Sequence, residues 1–381
     1  MAGTRGIGTA DAPRESAPWW RRASDTGRRV VPARWRVAAR DRRFAAEERP
    51  ELQAFQRFYE RLERKRGAVY LFVTGGLLHR LVSAERLVPR DVNLVLLGSG
   101  LAEPEVRWIR TRLDRPFHHI GLPVDANTAW EFLFATNRFD FGYVDADCLV
   151  LEPAVFDDLL RFDDDIALNA AWTHPAEPGL ALAVPPLVGV HVAAVRELRR
   201  GGRYLSPAHH DWDGSVLPGP QPRSYRRVPT ARQRRTLLEV LPADERGRPV
   251  PPGGAAHFDT LVAFQIGAVT AGYRTRAVRP LAHRPPDAAA ASGAWQQDLS
   301  DELVHLRELD RHVRLHLAIE HAQLSATGAE LPGSYRARLR EVAGRLAGLG
   351  VAPEEAAGLV RAHLNGRGVG ERSADRVLGA G

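Results

Sequence analysis

The sequence has little cysteine, little lysine and no long apolar run. Cys148 is the only cysteine, so the chain forms no intramolecular disulfide and nothing indicates an oxidising compartment. No apolar stretch reaches the roughly 18 residues of a membrane span, because the best candidate, Leu180 to Val195, is interrupted by two prolines and a glycine. The N-terminus lacks the apolar core of a signal peptide. We therefore expect a soluble, cytoplasmic protein.

The positive charge is confined to the start of the chain. The formal net charge is +7, and residues 1–43 carry eleven arginines against four acidic residues, so the remainder is neutral. We therefore expect no specific nucleic-acid partner. Residues 1–48 are predicted to form a poorly ordered basic tail, whose arginines and interleaved tryptophans suit peripheral contact with an anionic membrane surface or a polyanion. Lys65 is the only lysine, and this preference for arginine is typical of a high-GC bacterial genome.

The pattern after the tail predicts an α/β domain. Ala68–Gly76 and Val92–Gly100 are short apolar runs closed by glycines, which is typical of buried parallel strands. FHHIGL and FGYVDAD follow as a third and a fourth strand, and helical spacing of apolar residues separates the strands. We therefore expect a mostly parallel sheet flanked by helices.

The second half of the chain predicts further strands and then helices. Strands are expected at Ile166–Trp172, Val188–Val195 and Tyr273–Val278, and Arg199 to Ala256 is rich in Gly, Pro and Arg and predicts a long loop or insertion. From Asp301 onward apolar residues follow helical spacing. The expected domains are the tail (1–48), an α/β domain (49–290) and a small C-terminal helical appendage (291–381).

Two aspartates stand one residue apart in the apolar run FGYVDADCLVL, residues 141–151. Buried carboxylates need compensation, and ligands of open parallel sheets bind at the carboxyl ends of the strands. Because residues two apart point the same way in a strand, Asp145 and Asp147 can converge on a hard cation such as Mg²⁺ or Mn²⁺. The alternative is a solvated turn in which Asp147 caps the following segment.

The order of elements around this motif resembles the glycosyltransferases of the GT-A fold, the nucleotide-diphospho-sugar transferases. The resemblance covers Ala68 to Arg284 and rests on YVDADCLVLEP after three βα units, followed later by HFDTLVAFQIGAVTAGYRTRAVRPLAHR. It implies a GT-A-like, Rossmann-like sheet and a metal-dependent transfer of a sugar to an unknown acceptor. The implied donor is a UDP- or GDP-sugar, and the implied cofactor is Mn²⁺ or Mg²⁺.

The resemblance also assigns roles to individual residues. It implies metal ligands at Asp147, Asp145 and His283, donor contacts at Asp145, Asn127, Thr74 and Gly75, and a general base at Asp259 if the reaction inverts configuration.

Other interpretations of the same motifs stay open. A haloacid-dehalogenase-type phosphohydrolase also uses D-x-D at a strand end, but it places the motif on the first strand and needs a lysine downstream, whereas Lys65 lies upstream. A non-catalytic binding module with the same sheet is the other alternative. The stretch HHDWD, residues 209–213, contains metal-capable side chains and is interpreted as a surface or acceptor-facing loop.

Overall fold

The computed structural model describes residues 33–124, 126–177, 180–210, 226–254, 257–278, 303–306, 312–327 and 330–379. Its strands are β1 Ala68–Thr74, β2 Leu94–Ser99, β3 Phe117–Ile120, β4 Phe141–Asp145, β5 Cys148–Val150, β6 Ile166–Ala170, β7 Thr173–Glu177, β8 Leu180–Ala183, β9 Leu187–Val190, β10 His209–His210, β11 Arg226–Arg227, β12 Arg274–Ala277 and β13 Leu303–His305. Its α-helices are α1 Ala33–Arg61, α2 Leu78–Leu87, α3 Glu103–Arg112, α4 Ala126–Thr136, α5 Ala154–Leu159, α6 Val192–Gly201, α7 Ala231–Leu238, α8 Val262–Val269, α9 Val313–Thr327, α10 Gly333–Gly348, α11 Ala356–Gly366 and α12 Glu371–Val377.

Seven strands form the central sheet, in the order β12-β6-β9-β4-β1-β2-β3. All of its neighbouring pairs are parallel except those of β9, which runs antiparallel to both β4 and β6. The carboxyl ends of β1, β2 and β4 therefore lie at one edge, where Phe72 is paired with Asp145. The predicted α/β class with a mostly parallel sheet is confirmed, because helices flank both faces.

The two faces of the sheet bury two separate apolar cores. In β1, Tyr70 and Phe72 belong to one core, whereas Val69 and Leu71 belong to the other. This alternation follows from the two-residue period of a strand, and the wholly apolar sequence AVYLFV satisfies both faces at once. The first core includes α1, α4, α6 and α8, and the second includes α2, α3, α5 and the C-terminal helices.

The predicted strand at Val188–Val195 is wrong beyond Val190. The carboxylate of Asp140 accepts a hydrogen bond from the backbone N–H of Val192 at 2.8 Å, at the start of α6. A carboxylate at this position satisfies one of the free donors of a helix N-terminus. The apolar run is therefore divided between β9 and α6, which the periodicity alone does not indicate.

The segment from Arg199 to Ala256 contains regular structure where a loop or insertion was predicted. Helix α7 begins after Thr230, whose side chain accepts a hydrogen bond from the backbone N–H of Gln233, while the Gln233 side chain accepts one from the N–H of Thr230. This reciprocal pair is a capping box, a local signal present in the sequence as T-x-x-Q. The short strands β10 and β11 also fall within this segment.

The predicted helix from Asp301 onward is wrong for Leu303–His305, which form β13. This strand pairs antiparallel with β5, with Val304 opposite Leu149 and His305 opposite Cys148. The three residues are buried, so tertiary pairing overrides the helical spacing of the apolar residues around them.

The C-terminal helices are anchored to the edge of the sheet. The Tyr335 hydroxyl accepts a hydrogen bond from the backbone N–H of Leu78 at 2.9 Å and donates one to Glu105. The same Glu105 carboxylate accepts from the backbone N–H of Gly76 at 3.0 Å, directly after β1. Helix α10 is thereby connected to the turn that leaves the first strand. No helix among the described residues is long and apolar enough to cross a membrane.

Candidate functional site

The turn after β1 brings backbone close to backbone at the carboxyl edge of the sheet. The N–H of Gly75 donates to the Ser99 carbonyl at 3.0 Å. A Cβ at Gly75 would lie 2.2 Å from the Gly100 carbonyl oxygen, so only glycine fits there. The sequence-predicted donor residues Thr74 and Gly75 thus lie in a tightly constrained turn at the edge where ligands of such sheets bind.

Asp145 is the last residue of β4, and its carboxylate is fixed by the residue two positions earlier. The Tyr143 hydroxyl donates a hydrogen bond to Asp145 Oδ1 at 2.5 Å. Tyr143 is fully buried, and its ring lies 4.3 Å from that of Trp130 on α4. The Asp145 side chain therefore lies on the face of the sheet that α4 covers, and it is partly exposed.

Asp147 lies in the turn between β4 and β5, beyond the end of the strand. His305 Nε2 is 3.3 Å from Asp147 Oδ1, and Arg80 Nη1 is 3.8 Å from Oδ2. Burial by itself raises the pKa of Asp147, but the contact with His305 and the charge of Arg80 outweigh it and hold the pKa below its usual range. The Asp147 carboxylate is therefore ionised and 25% exposed.

His305 is the functional candidate that sequence reasoning missed. The antiparallel pairing of β13 with β5 places it next to the second aspartate of the motif. The only local signal is the short apolar run LVH, which is too short to be distinguished from a helical turn by its period. His283, predicted as the third ligand, lies outside the described residues, so its role stays a prediction.

Cys148 follows the motif but takes no part in its chemistry. Its thiol is fully buried in β5. Burial, with added repulsion from the charges of Asp147 and Asp145, raises the pKa of the thiol well above its usual value. The thiol therefore stays protonated, and it is neither a nucleophile nor a metal ligand at neutral pH.

A second polar cluster lies just before α8. His209 Nε2 is 2.6 Å from Asp259 Oδ1 and 3.1 Å from Thr260 Oγ1. Thr260 in turn donates a hydrogen bond to Asn127 Oδ1 on α4. The predicted donor residue Asn127 is thus buried and holds Thr260, next to the predicted base.

The predicted base Asp259 carries a low pKa. Burial by itself raises the pKa of Asp259. The hydrogen bond and the charge of His209, together with the hydrogen bond from the Thr260 N–H, outweigh this and lower the pKa to about 2. The next residue but one, Leu261, has φ 67°, the only positive φ of a non-glycine residue among the described ones. Its side chain is fully buried, so packing fixes a backbone conformation that leucine rarely adopts.

Part of the chain matches a family model. Residues 45–195 match the model described as the StrH glycosyltransferase N-terminal domain. The match covers less than half of the chain, and this segment is similar to that glycosyltransferase domain. It contains the sheet from β1 to β9, the D-x-D pair and the Asn127 helix, so the predicted resemblance to glycosyltransferases is confirmed for the part that carries the motif.

Solved glycosyltransferase structures resemble the chain only weakly. Galactosyltransferase LgtC, solved with donor and acceptor sugar analogues, is 13% identical over 33% of this chain and 58% of its own, with a TM-score of 0.27. GlyE of Streptococcus pneumoniae TIGR4 is 14% identical over 37% of this chain and 38% of its own, with a TM-score of 0.27. Mannosyltransferase PcManGT of Pyrobaculum calidifontis, solved with GDP-Man and Mn²⁺, is 12% identical over 90% and 97%, with a TM-score of 0.30.

These likenesses are too weak to assign a donor or an acceptor. The chain spans less than two thirds of the length of LgtC and of GlyE. A comparison with curated protein sequences finds no match.

Proposed function

We propose that the protein is a metal-dependent glycosyltransferase that moves a sugar from a UDP- or GDP-sugar to an acceptor hydroxyl or amine. The observation that supports this most is the pairing of Asp147 with His305 in the turn directly after β4, at the carboxyl edge of a sheet whose sequence matches a glycosyltransferase domain. Ligands of open α/β sheets bind at this edge.

The residues present suit a divalent cation. Asp147 Oδ1 is buried, and His305 Nε2, 3.3 Å away, forms an ion-pair contact with it without the geometry of a hydrogen bond. Asp145 and Asp147 offer carboxylate oxygens and His305 offers a ring nitrogen, a mixed set that Mn²⁺ accepts more readily than Mg²⁺. Asp147 and His305 would hold the ion together with Asp145, whose carboxylate would have to turn toward them, because the ligand atoms of the three residues do not all lie within 4.8 Å of one another. We propose His305 for the position that the sequence assigned to His283.

The neighbouring charges suit a donor diphosphate. Breaking the bond between the sugar C1 and the diphosphate leaves negative charge on the leaving group, and a bound cation would supply charge stabilisation there. Arg80 contributes a second positive charge, because its guanidinium lies beside Asp147. Thr74 and Gly75 in the constrained turn are the proposed contacts for the base of the nucleotide.

Asp259 is the proposed proton acceptor for an inverting reaction. It is ionised at neutral pH and its side chain is 55% exposed, as a base that meets an acceptor hydroxyl must be. Its pKa of about 2 makes it a weak base, and the pairing with His209 is the cause. An Asp259→Asn variant is expected to lose about 10²-fold or more in kcat if the carboxylate takes the proton. An unchanged kcat would contradict this role.

A thermal-shift series with UDP and GDP, with and without Mn²⁺, tests the proposed function. We expect a nucleotide to raise Tm only when Mn²⁺ is present, and the rise to disappear in Asp147→Asn. Asp114→Asn is the matched control, because Asp114 is exposed and precedes β3 at the opposite edge of the sheet. Absence of a shift with every nucleotide, in native protein that binds Mn²⁺, would contradict the transferase and favour a binding module.

A further inference from the structure

Two histidines lie beside the proposed base Asp259, and the sugar-transfer proposal gives neither of them a catalytic part. One ligand atom from each of His209, His257 and Asp259 can be chosen so that all three lie within 4.8 Å of one another. The His209 and His257 rings are stacked with their centroids 5.3 Å apart. The cluster is made by different residues, on different elements, from those that surround Asp147.

Backbone pairing explains why these residues meet. His210 and Phe258 exchange both backbone hydrogen bonds, each 3.0 Å long, in an antiparallel bridge. In such a pair the flanking residues lie opposite each other, so His209 is brought to Asp259. Both segments are buried at the bridge itself, where His210 and Phe258 are 1% and 0% exposed. The backbone that carries the cluster is therefore buried and hydrogen-bonded, although the side chains of the cluster reach the surface.

We propose that His209, His257 and Asp259 form a binding site for Zn²⁺, separate from the site at Asp145 and Asp147. Imidazole nitrogens together with one carboxylate are the ligands that Zn²⁺ favours, with solvent filling the fourth position. Zn²⁺ binds N/O sites more tightly than Mn²⁺ in general, and a site with two imidazoles favours it further.

To hold the ion, the three ligand atoms, which lie within 4.8 Å of one another, must move to a common separation. Zn–ligand bonds of about 2.0–2.1 Å in a tetrahedron place ligand atoms about 3.3 Å apart. His209 Nε2 and Asp259 Oδ1 are 2.6 Å apart, which is the distance of a short hydrogen bond with one proton between the two atoms. An ion that replaces this proton requires the two atoms to separate by less than about 1 Å. Asp259 can make that movement because its side chain is 55% exposed.

The contact of the cluster with Thr260 changes when the ion binds. Thr260 Oγ1 lies 3.1 Å from His209 Nε2, the nitrogen that would bind the ion, and its hydroxyl is hydrogen-bonded to Asn127. The ion would therefore replace the contact of His209 with Thr260 as well as the one with Asp259. The bound ion would tie β10 to the segment that leads into α8, two parts of the chain about 50 residues apart.

The test is titration of the protein with Zn²⁺ alone, without nucleotide or sugar. All variants are made in a protein that already carries Asp147→Asn, because this change removes a carboxylate from the other site. We expect this protein to bind one Zn²⁺, to gain thermal stability from it, and to give with Co²⁺ the strong visible absorption of tetrahedral coordination. Adding His257→Ala should weaken Zn²⁺ binding at least about 100-fold, whereas adding His174→Ala, an exposed histidine on β7, should leave it unchanged.

Folding of each variant is checked by its Tm in the presence of a chelator. If His257→Ala lowers that Tm, Asp259→Asn replaces it, because this exposed side chain tolerates substitution, and the same loss of affinity is expected. The proposal is overturned if the Asp147→Asn protein binds no Zn²⁺, or if a folded cluster variant binds it as tightly as that background. Either result would leave His209 and Asp259 as a hydrogen-bonded pair only, and would not affect the transferase proposal, which is tested with nucleotides.

Discussion

At the scale of single residues, the two carboxylates of the D-x-D pair are stabilised in different ways. Asp145 accepts a hydrogen bond from Tyr143 in its own strand, whereas Asp147 lies against Arg80 and His305, which come from distant parts of the sequence. A buried carboxylate without such partners would cost several kcal/mol. The pair is therefore compatible with a folded apo protein and remains available to a cation.

Comparison of His305→Ala with His283→Ala decides which histidine serves the metal. We expect His305→Ala to raise the Mn²⁺ concentration needed for half-maximal activity by at least about tenfold, because it removes the ring nitrogen next to Asp147. His283→Ala should change it little. The measurement is initial rate against Mn²⁺ at saturating donor. The reverse result, with only His283→Ala affected, would contradict the assignment of His305.

Tyr143→Phe tests the support of Asp145. The variant keeps the buried ring but loses the hydrogen bond to the carboxylate, and hydrogen bonds to charged groups contribute about 1.5–3 kcal/mol. We expect a loss of stability at or below this range in urea unfolding, together with a higher KM for the donor. A variant with native KM would show that Tyr143 does not position Asp145 for the donor.

At the scale of elements, the turn after β1 illustrates what limits substitution at the site. Gly75→Ala is expected to destabilise the protein and weaken nucleotide binding, because its Cβ would lie 2.2 Å from the Gly100 carbonyl oxygen. Gly344→Ala is the control. It lies in α10 with no atom within 4 Å of the added carbon, and should stabilise the protein by about 0.5–1 kcal/mol. Urea unfolding of both variants measures the two effects, and equal changes would contradict the steric explanation.

Local pattern predicted the elements whose sequences are consistent with their surroundings. The apolar runs of β1 and β2 were predicted within two residues at each end. Prediction from the local pattern failed where contact with a distant segment determines the secondary structure. Leu303–His305 form a strand by pairing with β5, and the start of α6 at Val192 is capped by Asp140 from a distant element. The candidate site was predicted in part for the same reason, since Asp145 and Asp147 lie in a local motif, whereas tertiary pairing brings His305 to Asp147 and His209 to Asp259.

At the scale of the whole molecule, the C-terminal helices share a core with one face of the sheet. His79 lies in this core and is fully buried, with its ring 5.9 Å from that of Tyr335 on α10. Its two ring nitrogens have no hydrogen-bond partner among the described residues. Burial, more than the charges of Glu320 and Arg80, sets its pKa, which falls to about 4. The neutral ring is therefore part of the folded state.

This burial predicts a loss of stability in mild acid. The pKa of His79 is lower in the folded than in the unfolded chain, so its contribution is complete above about pH 6.5 and is lost as pH falls toward 4. At pH 5 protonation of His79 in the unfolded chain should lower the free energy of unfolding by about 2 kcal/mol. Urea unfolding at pH 7 and pH 5 measures it. His79→Phe should reduce the difference between the two pH values by that amount, and His174→Ala should not. An equal difference in His79→Phe and native protein would contradict the prediction.

The pairing of β5 with β13 has a consequence for how the molecule is made. During synthesis the chain completes the strand that carries Asp145 and Asp147 long before it reaches Leu303–His305. Until then β5 lacks its partner and the core behind it stays open, so a nascent chain holds both carboxylates without the histidine. Contacts between such distant positions form late and slowly. The proposed metal site would therefore be complete only after Leu303–His305 have been synthesised, and a chain that stops before them would expose the unpaired edge of β5.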